Sequence, residues 1–494
     1  MEDEESRAID NPVTLMSGES VPFGFTVSIT RATANEEFAY SFRIKGTDPS
    51  DGSTKTLDYH LADVEHNSYL NLFQKLAQDF GLRLPRNRRL AAEPTSRAKY
   101  RALLTENLAP GILYGYGDPA VLRVEEEAGG EVGVWYYLVV TSNDAPDSFP
   151  IIRSRNLINW EFTGFVFPEG KKPDWAADGK YVSDFWAPEM HKVRGEFRVY
   201  FVARDRKTRE LSIGLAKSAR PTGQFIAGKE PILSGNVIDP HVFVADAETA
   251  FLYWKEDTND IWPSRLTHLL HEHPHLITEL FPEREDQITA SLIQTLWPWI
   301  RSLQPMERFF AQQVLVEAVT SAFTAFHDRL SKLSDRQSTG NALEQVRAVL
   351  QVLRTPVYAQ RLSSDGLHLI GERVKIIEND LAWEAHLIEG VWLAEQQGRY
   401  YLFYAGNDFS TASYGIGVAI ADSPLGPYRK MAEPLLRSTN EWAGPGHPSV
   451  AVAPDGELLL FFHAFFPERT GYKEFRALLA ARIEFAAERV LLDR

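Results

Sequence analysis

The chain has 494 residues, a length that allows about three domains. Hydrophobic residues make up 44% and charged residues 24%, which is typical of a folded globular protein and excludes a largely disordered one. The formal net charge of −15 argues against a nucleic-acid or anionic-membrane partner, because both require a basic face. The absence of cysteine excludes disulfides, thiolate zinc sites and cysteine nucleophiles.

The N-terminal part of the chain shows no targeting segment. The opening residues MEDEES lack the basic and apolar regions of a secretory signal, and no uncharged apolar run approaches the ~18 residues of a membrane span. We therefore expect a cytoplasmic protein. Residues 1–108 contain candidate strands in FGFTVSIT and FAYSFRI, a candidate helix at about 61–80 and a basic segment, LRLPRNRRL. They predict a small α+β domain to which no motif assigns a role.

Short runs rich in β-branched and aromatic residues recur after residue 108. The runs are VWYYLVV (134–140), EFRVYFVA (196–203), TAFLYWK (249–255), RYYLFYAG (399–406) and ELLLFFHA (457–464). A second repeat, LSIGLAKSARPTGQF (211–225) and YGIGVAIADSPLGPY (414–428), has the same offset of 203 residues as the two runs that precede it. Five units of 50–60 residues, each with about four strands, predict a mainly β fold, namely a five-bladed β-propeller.

One spacing between these runs is longer than the others by about 93 residues. The stretch that fills it, 262–354, carries apolar residues at helical spacing. We predict a helical domain inserted into the third blade, with the propeller formed by residues 109–261 and 355–494. The insertion either lies beside the pocket as a wall or lid, or acts at a distance, stabilising the fold or forming a homo-oligomer.

The first strand of each propeller blade begins at one mouth of the central axis, so equivalent strand starts converge. Counting back nine residues from the start of each repeat reaches Trp186, Asp239, Glu389 and His447, and Asp118 stands before the first run in YGDPAV. We expect these side chains to line one pocket. Three carboxylates in one pocket are suited to acid–base chemistry.

The chain resembles glycoside hydrolase family 43, whose members are inverting enzymes built on five-bladed propellers. The matching pieces, in order, are GDPAVL (117–122), SRNLINWE (154–161), FWAPE (185–189), IDPHVF (238–243), IEG (388–390) and GPGHPSV (444–450). The chain departs from the family at Val391, where proline usually follows Glu-Gly.

The resemblance implies a role for each carboxylate. Asp118 corresponds to the general base that activates water, and Glu389 to the general acid that protonates the leaving oxygen. Asp239 corresponds to the third carboxylate, which orients the acid and raises its pKa by like-charge repulsion. Inversion requires a water between base and sugar, so the two working carboxyls should stand roughly 6.5–9.5 Å apart.

Four further residues are candidate substrate contacts: Trp186, Phe149, His447 and Arg469. In arabinan-active relatives the residue matching His447 helps to hold a calcium ion, or its waters, in the central channel. The resemblance therefore implies a candidate Ca²⁺ site at His447 on the propeller axis, with no cofactor required for the reaction.

The resemblance implies an exo-acting hydrolase that releases terminal arabinofuranosyl or xylosyl units from plant-polysaccharide oligosaccharides, an α-L-arabinofuranosidase or a β-xylosidase. Two alternatives stay open. An endo-arabinanase would need an open groove, and a non-catalytic sugar-binding propeller would not need three carboxylates in one pocket.

Overall fold

The computed structural model describes most of the chain, and strands make the protein mainly β. The described residues are 23–33, 35–83, 98–128, 131–179, 182–259, 261–336, 340–467 and 469–492. The segment MEDEES and most of LRLPRNRRL lie outside them. The chain divides into two compact units, Met1–Asn87 with Thr258–Leu353 and Arg88–Asp257 with Arg354–Arg494.

The first unit contains a small antiparallel sheet and a group of helices. The sheet is formed by β1 (Gly24–Arg31), β2 (Tyr40–Thr47) and β3 (Thr54–Leu61), and α1 (His66–Phe80) follows it. The later helices are α2 (Ile261–Glu272), α3 (Leu276–Leu280), α4 (Arg284–Ile300), α5 (Pro305–Thr320), α6 (Phe323–Arg336) and α7 (Asn341–Val352). Two strands and a helix were predicted before residue 81, and β3 was not. The predicted helix begins at His66 rather than near residue 61, because Leu61 still pairs with Tyr40 in the sheet.

Residues from both ends of this unit share one core. The rings of Tyr40 and Phe42 on β2 lie edge-on to Trp299 on α4, with centroid distances of 5.5 and 5.1 Å. Arg83 donates from Nε to Asp286 Oδ1 at 2.5 Å, and both side chains are largely buried. The N-terminal sheet and the helices therefore form one body, an association that the sequence did not predict.

Among the residues described above, no single helix is both long and apolar enough to cross a membrane. Helices α5 and α6 reach that length and composition only as a pair, with a 90° bend between them.

The second unit consists of five antiparallel sheets, preceded by β4 (Arg101–Leu104). The first contains β5 (Ala120–Ala128), β6 (Glu131–Val139), β7 (Ser148–Ser154) and β8 (Trp160–Phe167). The second contains β9 (Trp186–Val193), β10 (Glu196–Arg204), β11 (Leu211–Ser218) and β12 (Ile226–Ala227). The third contains β13 (Val237–Val244), β14 (Ala250–Glu256), β15 (Val357–Leu362) and β16 (Leu369–Ile377). The fourth contains β17 (Ile388–Gln396), β18 (Arg399–Gly406), β19 (Gly415–Ala421) and β20 (Arg429–Lys430). The fifth contains β21 (Ala443–Val452), β22 (Leu458–Phe465), β23 (Arg476–Ala486) and β24 (Arg489–Leu492).

The first strands of the five sheets form a ring. Each contacts the first strand of the next sheet, in the order β5, β9, β13, β17 and β21, and β21 contacts β5 again. This is the arrangement expected of a five-bladed β-propeller. The five predicted runs are confirmed as strands, and each is the second strand of its sheet. The helices α2–α7 lie in the chain between β14 and β15 of the third sheet.

Candidate active site

In every sheet a residue on the first strand, or shortly before it, has a left-handed backbone. These residues, with φ between 44° and 56°, are Asp118, Ala187, Asp239, Gly390 and His447. Four of the five precede proline, and Val391 follows the fifth. The strand pairing shifts register at this point in the second to fifth sheets. In the second, third and fifth sheets a proline stands there, which has no N–H to donate to the ladder.

This recurrence corrects one sequence alignment. The prediction placed Trp186 and Glu389 at the same position as Asp239 and His447. By backbone conformation, the equivalent residues are Ala187 and Gly390, one residue later. Glycine is needed at 390, since a Cβ there would lie 2.9 Å from Nδ1 of His447.

Asp118 is fixed by side chains from three other strands or loops. Thr141 donates its hydroxyl to Oδ2 at 2.5 Å, and Arg476 donates from Nη1 to Oδ1 at 2.9 Å. The backbone N–H of Asp118 donates to Nδ1 of His463 at 3.1 Å. Burial alone raises the pKa of Asp118, but Arg476 and His447 outweigh it and hold this pKa well below its usual range. The carboxylate is therefore ionised at neutral pH.

Glu389 and Asp239 are buried carboxyls with a different electrostatic balance. Glu389 accepts a hydrogen bond from the Tyr414 hydroxyl at 2.8 Å and from Nζ of Lys255 at 3.2 Å. Asp239 accepts one from the backbone N–H of Gly390 at 2.7 Å. Burial raises the pKa of each carboxyl to about 7; repulsion by neighbouring carboxyls acts in the same direction and Lys255 opposes it.

The structure brings the three predicted carboxylates together. The Tyr414 ring that bonds Glu389 stacks on the His463 ring that bonds Asp118, at a centroid distance of 6.1 Å. Asp118 is close enough to Asp239 for their repulsion to raise the Asp239 pKa. One carboxylate that stays ionised thus lies beside a pair of buried carboxyls that keeps a proton up to about pH 7, and this is the division of labour that acid–base catalysis needs.

The sequence model of the glycosyl hydrolases family 43 matches residues 112–286 and 351–490, more than half of the chain. The chain belongs to glycosyl hydrolases family 43. It is 26% identical over 281 residues to "Xylosidase/arabinosidase 43A" of Humicola insolens. These matched residues make up 56% of this chain and 65% of the relative. It is 29% identical over 116 residues to "Beta-xylosidase" of Xylanibacter ruminicola, covering 23% of this chain and 34% of the relative. The chain therefore spans less than two thirds of the length of each of these relatives.

A solved structure supports the fold. The "Crystal structure of a thermostable family-43 glycoside hydrolase" superposes with a TM-score of 0.52 at 24% identity, over 77% of this chain and 93% of that one. At that level of identity the likeness concerns the fold alone. This family 43 protein therefore shares its fold, over most of the chain, with a solved structure.

Three of the four predicted substrate contacts of this family 43 chain, His447, Trp186 and Arg469, differ from one another in their surroundings. His447 lies beside the base, with Nδ1 3.4 Å from Asp118 Oδ1. Trp186 is half-buried at the start of β9 and packs against Val202 and Ile238. Arg469 is exposed between β22 and β23.

The prediction that Phe149 walls the sugar site is wrong for this structure. Phe149 is fully buried, and its ring packs against Phe167, Phe185 and Phe201 between the first and second sheets. A ring enclosed on all sides by core residues leaves no face for a sugar.

Several residues of the site were missed by sequence reasoning. They are Thr141, Lys255, Tyr414, His463 and Arg476. Each stands on, or next to, a second or third strand, whereas the prediction searched only the starts of first strands. One signal was available in the motif GDPAVL, namely the glycine directly before Asp118. A side chain at Gly117 would collide with the Arg476 guanidinium.

The surroundings of His447 do not fit a calcium ion. Ca²⁺ takes six to eight oxygen ligands. The carboxylate oxygen nearest to His447 belongs to Asp118, and it already accepts a hydrogen bond from the cationic Arg476.

A second cluster of metal-ligand type lies on the first strands of the second and third sheets, within the described residues. Glu189, His191 and His241 have ligand atoms within 4.8 Å of one another. However, Nε2 of His241 accepts the backbone N–H of Leu393 at 2.9 Å, and Nδ1 lies 3.0 Å from the Glu189 carboxylate. Both nitrogens of this histidine are engaged, so the cluster is a hydrogen-bond network rather than an open metal site.

Proposed function

We propose that the protein is an inverting glycoside hydrolase that releases terminal arabinofuranosyl or xylosyl units from oligosaccharides. The observation that carries the proposal is the contrast in proton affinity between Asp118 and Glu389. Arg476 and His447 keep Asp118 ionised, while burial keeps Glu389 protonated up to about pH 7. The names of the two relatives, a xylosidase/arabinosidase and a β-xylosidase, support a pentose as the released sugar.

In the proposed reaction a water molecule attacks the anomeric carbon of the terminal sugar. Asp118 accepts a proton from this water as the new C–O bond forms, and Glu389 gives its proton to the glycosidic oxygen as the old C–O bond breaks. Each oxygen of Asp118 accepts one protein hydrogen bond and has a second lone pair to offer to the water. The products are the free sugar, with inverted configuration, and the shortened chain.

Asp239 acts on the acid through the backbone. Its carboxylate binds the N–H of Gly390, the residue directly after Glu389, and so fixes the peptide that carries the acid. Its negative charge also raises the pKa of Glu389. Both effects keep the Glu389 proton available near the scissile bond.

The test is hydrolysis of arabino- and xylo-oligosaccharides, and of nitrophenyl α-L-arabinofuranoside and nitrophenyl β-D-xyloside, by the wild type and by Asp118→Asn and Glu389→Gln. With the oligosaccharides, whose leaving group is an alcohol, we expect each substitution to lower kcat/KM by at least about 100-fold, the usual contribution of a general acid or base. The acidic nitrophenol leaving group should restore activity to Glu389→Gln but not to Asp118→Asn, because only the acid assists leaving-group departure. Proton NMR of the first-formed sugar should show inversion.

Glu395→Gln is the matched control, since Glu395 lies on the same strand as Glu389 but is exposed. Wild-type activity that survives both catalytic substitutions would reject the assignment. Linear arabino- and xylo-oligosaccharides separate exo from endo action, because exo action releases monosaccharide first. Sugar binding without hydrolysis would instead identify a non-catalytic propeller.

A further inference from the structure

A lysine is buried beside the acid, and the reaction outlined above does not use it. The side chain of Lys255 is 1% exposed. Its Nζ lies 3.2 Å from Oε2 of Glu389 and 3.3 Å from Oδ1 of Asp257. Burial opposes the charge of this amine, but Glu389, Asp257 and Asp239 together raise the pKa of Lys255. The ammonium is therefore charged, and its charge is compensated by these carboxyls.

The position of Lys255 is set by the sheet rather than by a loop. Strand β14 lies between β13 and β15, where Lys255 pairs with Ile238 on one side and Val357 on the other. Ile238 directly precedes Asp239, so Lys255 lies opposite the start of the strand that carries the third carboxylate. A central strand is among the most rigid places from which a side chain can be presented.

Lys255 and Tyr414 hold the two oxygens of the Glu389 carboxyl separately. Tyr414 donates to Oε1 at 2.8 Å, and Lys255 contacts Oε2. A carboxyl that is held at both oxygens has one orientation, which a proton donor requires. The contacts of Lys255 therefore bear on catalysis through Glu389.

The groups around Glu389 include one cation in direct contact and several carboxyls. The titratable groups that act on it are Lys255 on β14, Asp257 after β14, Asp239 on β13 and Tyr414 before β19. His386, which precedes β17, lies near Lys255 and Asp257, and burial lowers the pKa of His386 to about 4. It is neutral in the working range and adds no charge. The balance at Glu389 therefore depends on Lys255 against Asp239 and Asp257.

We infer that Lys255, with Asp257 as its partner, is a positioning residue that orients the Glu389 carboxyl and sets the pH range over which Glu389 keeps its proton. The inference rests on the proposed role of Glu389 as general acid. Lys255 favours the ionised form of Glu389, and Asp257 disfavours it. The two residues thus act on the proton in opposite directions, which a merely structural pair would not do.

The test compares the pH dependence of kcat/KM for Lys255→Met and Asp257→Asn with that of the wild type, using an arabino- or xylo-oligosaccharide, whose alcohol leaving group requires a proton from Glu389. Activity falls as pH rises through the pKa of Glu389. Loss of the lysine charge raises this pKa, so the alkaline limb of Lys255→Met should move up by about one pH unit. Loss of the Asp257 charge lowers it, so the limb of Asp257→Asn should move down by about the same amount. The acidic limb belongs to Asp118, which neither residue contacts, and should not move.

Lys430→Met is the matched control. Lys430 is also largely buried, at 9% side-chain exposure, and binds Asp380 and Glu384 instead of the catalytic carboxyls. It should lose stability without a change in the pH profile. If Lys255→Met fails to fold, Asp257→Asn and the charge-preserving Lys255→Arg decide the question. Asp257→Asn must move the alkaline limb to lower pH, and Lys255→Arg must leave the alkaline limb where it is in the wild type. Limbs that do not move, or that move in the same direction for Lys255→Met and Asp257→Asn, would overturn the inference.

A second readout separates this inference from the proposed function. The carboxyl ¹³C resonance of Glu389, assigned by its absence in Glu389→Gln, reports protonation whether or not the protein hydrolyses a glycoside. An inactive wild type whose Glu389 resonance still titrates at higher pH in Lys255→Met and lower pH in Asp257→Asn would reject the function but support the inference. An active wild type, with a Glu389 resonance that titrates at the same pH in both variants as in the wild type, would support the function but reject the inference.

Discussion

Asp118 and Asp239 have left-handed backbones, a conformation that costs residues with a side chain about 1–2 kcal/mol. Glu389 avoids this cost, because Gly390 takes the left-handed place in the fourth sheet. The acid therefore comes from one residue earlier than the two aspartates. A glutamate, with one more methylene than aspartate, suits that displaced position.

This geometry explains which site residues could be predicted from the sequence. Asp239 and Glu389 stand at strand starts that counting back from the repeat finds, and Asp118 stands before the first run in the motif YGDPAV. Counting back could not show that Glu389 lies one residue before the position that is equivalent to Asp239 by backbone conformation. Lys255 reads as an ordinary charged strand end, and Arg476 as one of several basic residues before the last long strand. Their roles depend on contacts across sheets, which a repeat does not encode.

At the scale of single residues, Gly117→Ala should disturb the base without touching it. The added Cβ would lie 1.8 Å from Cζ of Arg476, so the flexible arginine must move away from Asp118. Loss of this charge-assisted hydrogen bond should lower kcat/KM about 10- to 100-fold. Because Arg476 lowers the pKa of Asp118, its displacement raises that pKa, and the acidic limb of the pH profile should move to higher pH.

Gly133→Ala provides the control, since a Cβ at position 133 on the neighbouring β6 meets nothing within 4 Å. It should leave both the rate and the pH profile unchanged. A Gly117→Ala protein with the wild-type acidic limb would show that the Arg476 contact does not set the charge state of Asp118.

At the scale of elements, three neighbouring first strands are joined by one hydrogen-bond chain. Glu189 on β9 bonds His241 on β13, and His241 accepts the backbone N–H of Leu393 on β17. The Trp392 ring lies 4.9 Å from the His241 ring. The motifs FWAPE and IDPHVF thus contain two kinds of residue, those that face the site and those that link the sheets. The sequence predicted the first kind only, because the second is recognisable only once the sheets are adjacent.

Glu189→Gln should therefore weaken the ring in a pH-dependent way. Burial raises the pKa of Glu189, but the two histidines that bond it lower that pKa to about 2, from an ordinary value of 4.5. The ionised carboxylate then contributes about 3 kcal/mol of stability at neutral pH. This contribution is present above about pH 4.5 and is lost as the pH falls towards about 2.

Urea unfolding of the wild type and of Glu189→Gln at pH 7 and pH 3 measures the effect. The difference in unfolding free energy should be about 3 kcal/mol at pH 7 and clearly smaller at pH 3. An equal difference at both pH values would mean that the charge of Glu189 does not stabilise the ring.

At the scale of the whole molecule, segments far apart in the chain complete each unit. Strand β4 pairs with the first part of β23, so residues from near the start of the second unit help to form its last sheet. The N-terminal sheet similarly packs with helices that follow it by about 200 residues. The sequence predicted the ring because its repeats are regular. It did not predict these associations, because nothing local marks Tyr40 or Arg83 as a partner of α4.

The buried ion pair Arg83–Asp286 offers a test of the unit that these distant segments form. Arg83 also donates its backbone N–H to Thr289 Oγ1 at 2.8 Å, so its side chain cannot readily turn to solvent. Asp286→Ala leaves a buried guanidinium without its carboxylate, which costs about 3 kcal/mol. The thermal transition of this unit, followed by calorimetry and by proteolysis within residues 23–83, should fall by about 5–10 °C.

Asp58→Ala is the matched control, because the Arg43–Asp58 pair has similar geometry but its side chains are 69% and 57% exposed. This substitution should change the transition temperature little. If both variants melt alike, Arg83 and Asp286 do not join the N-terminal sheet to the helices in solution.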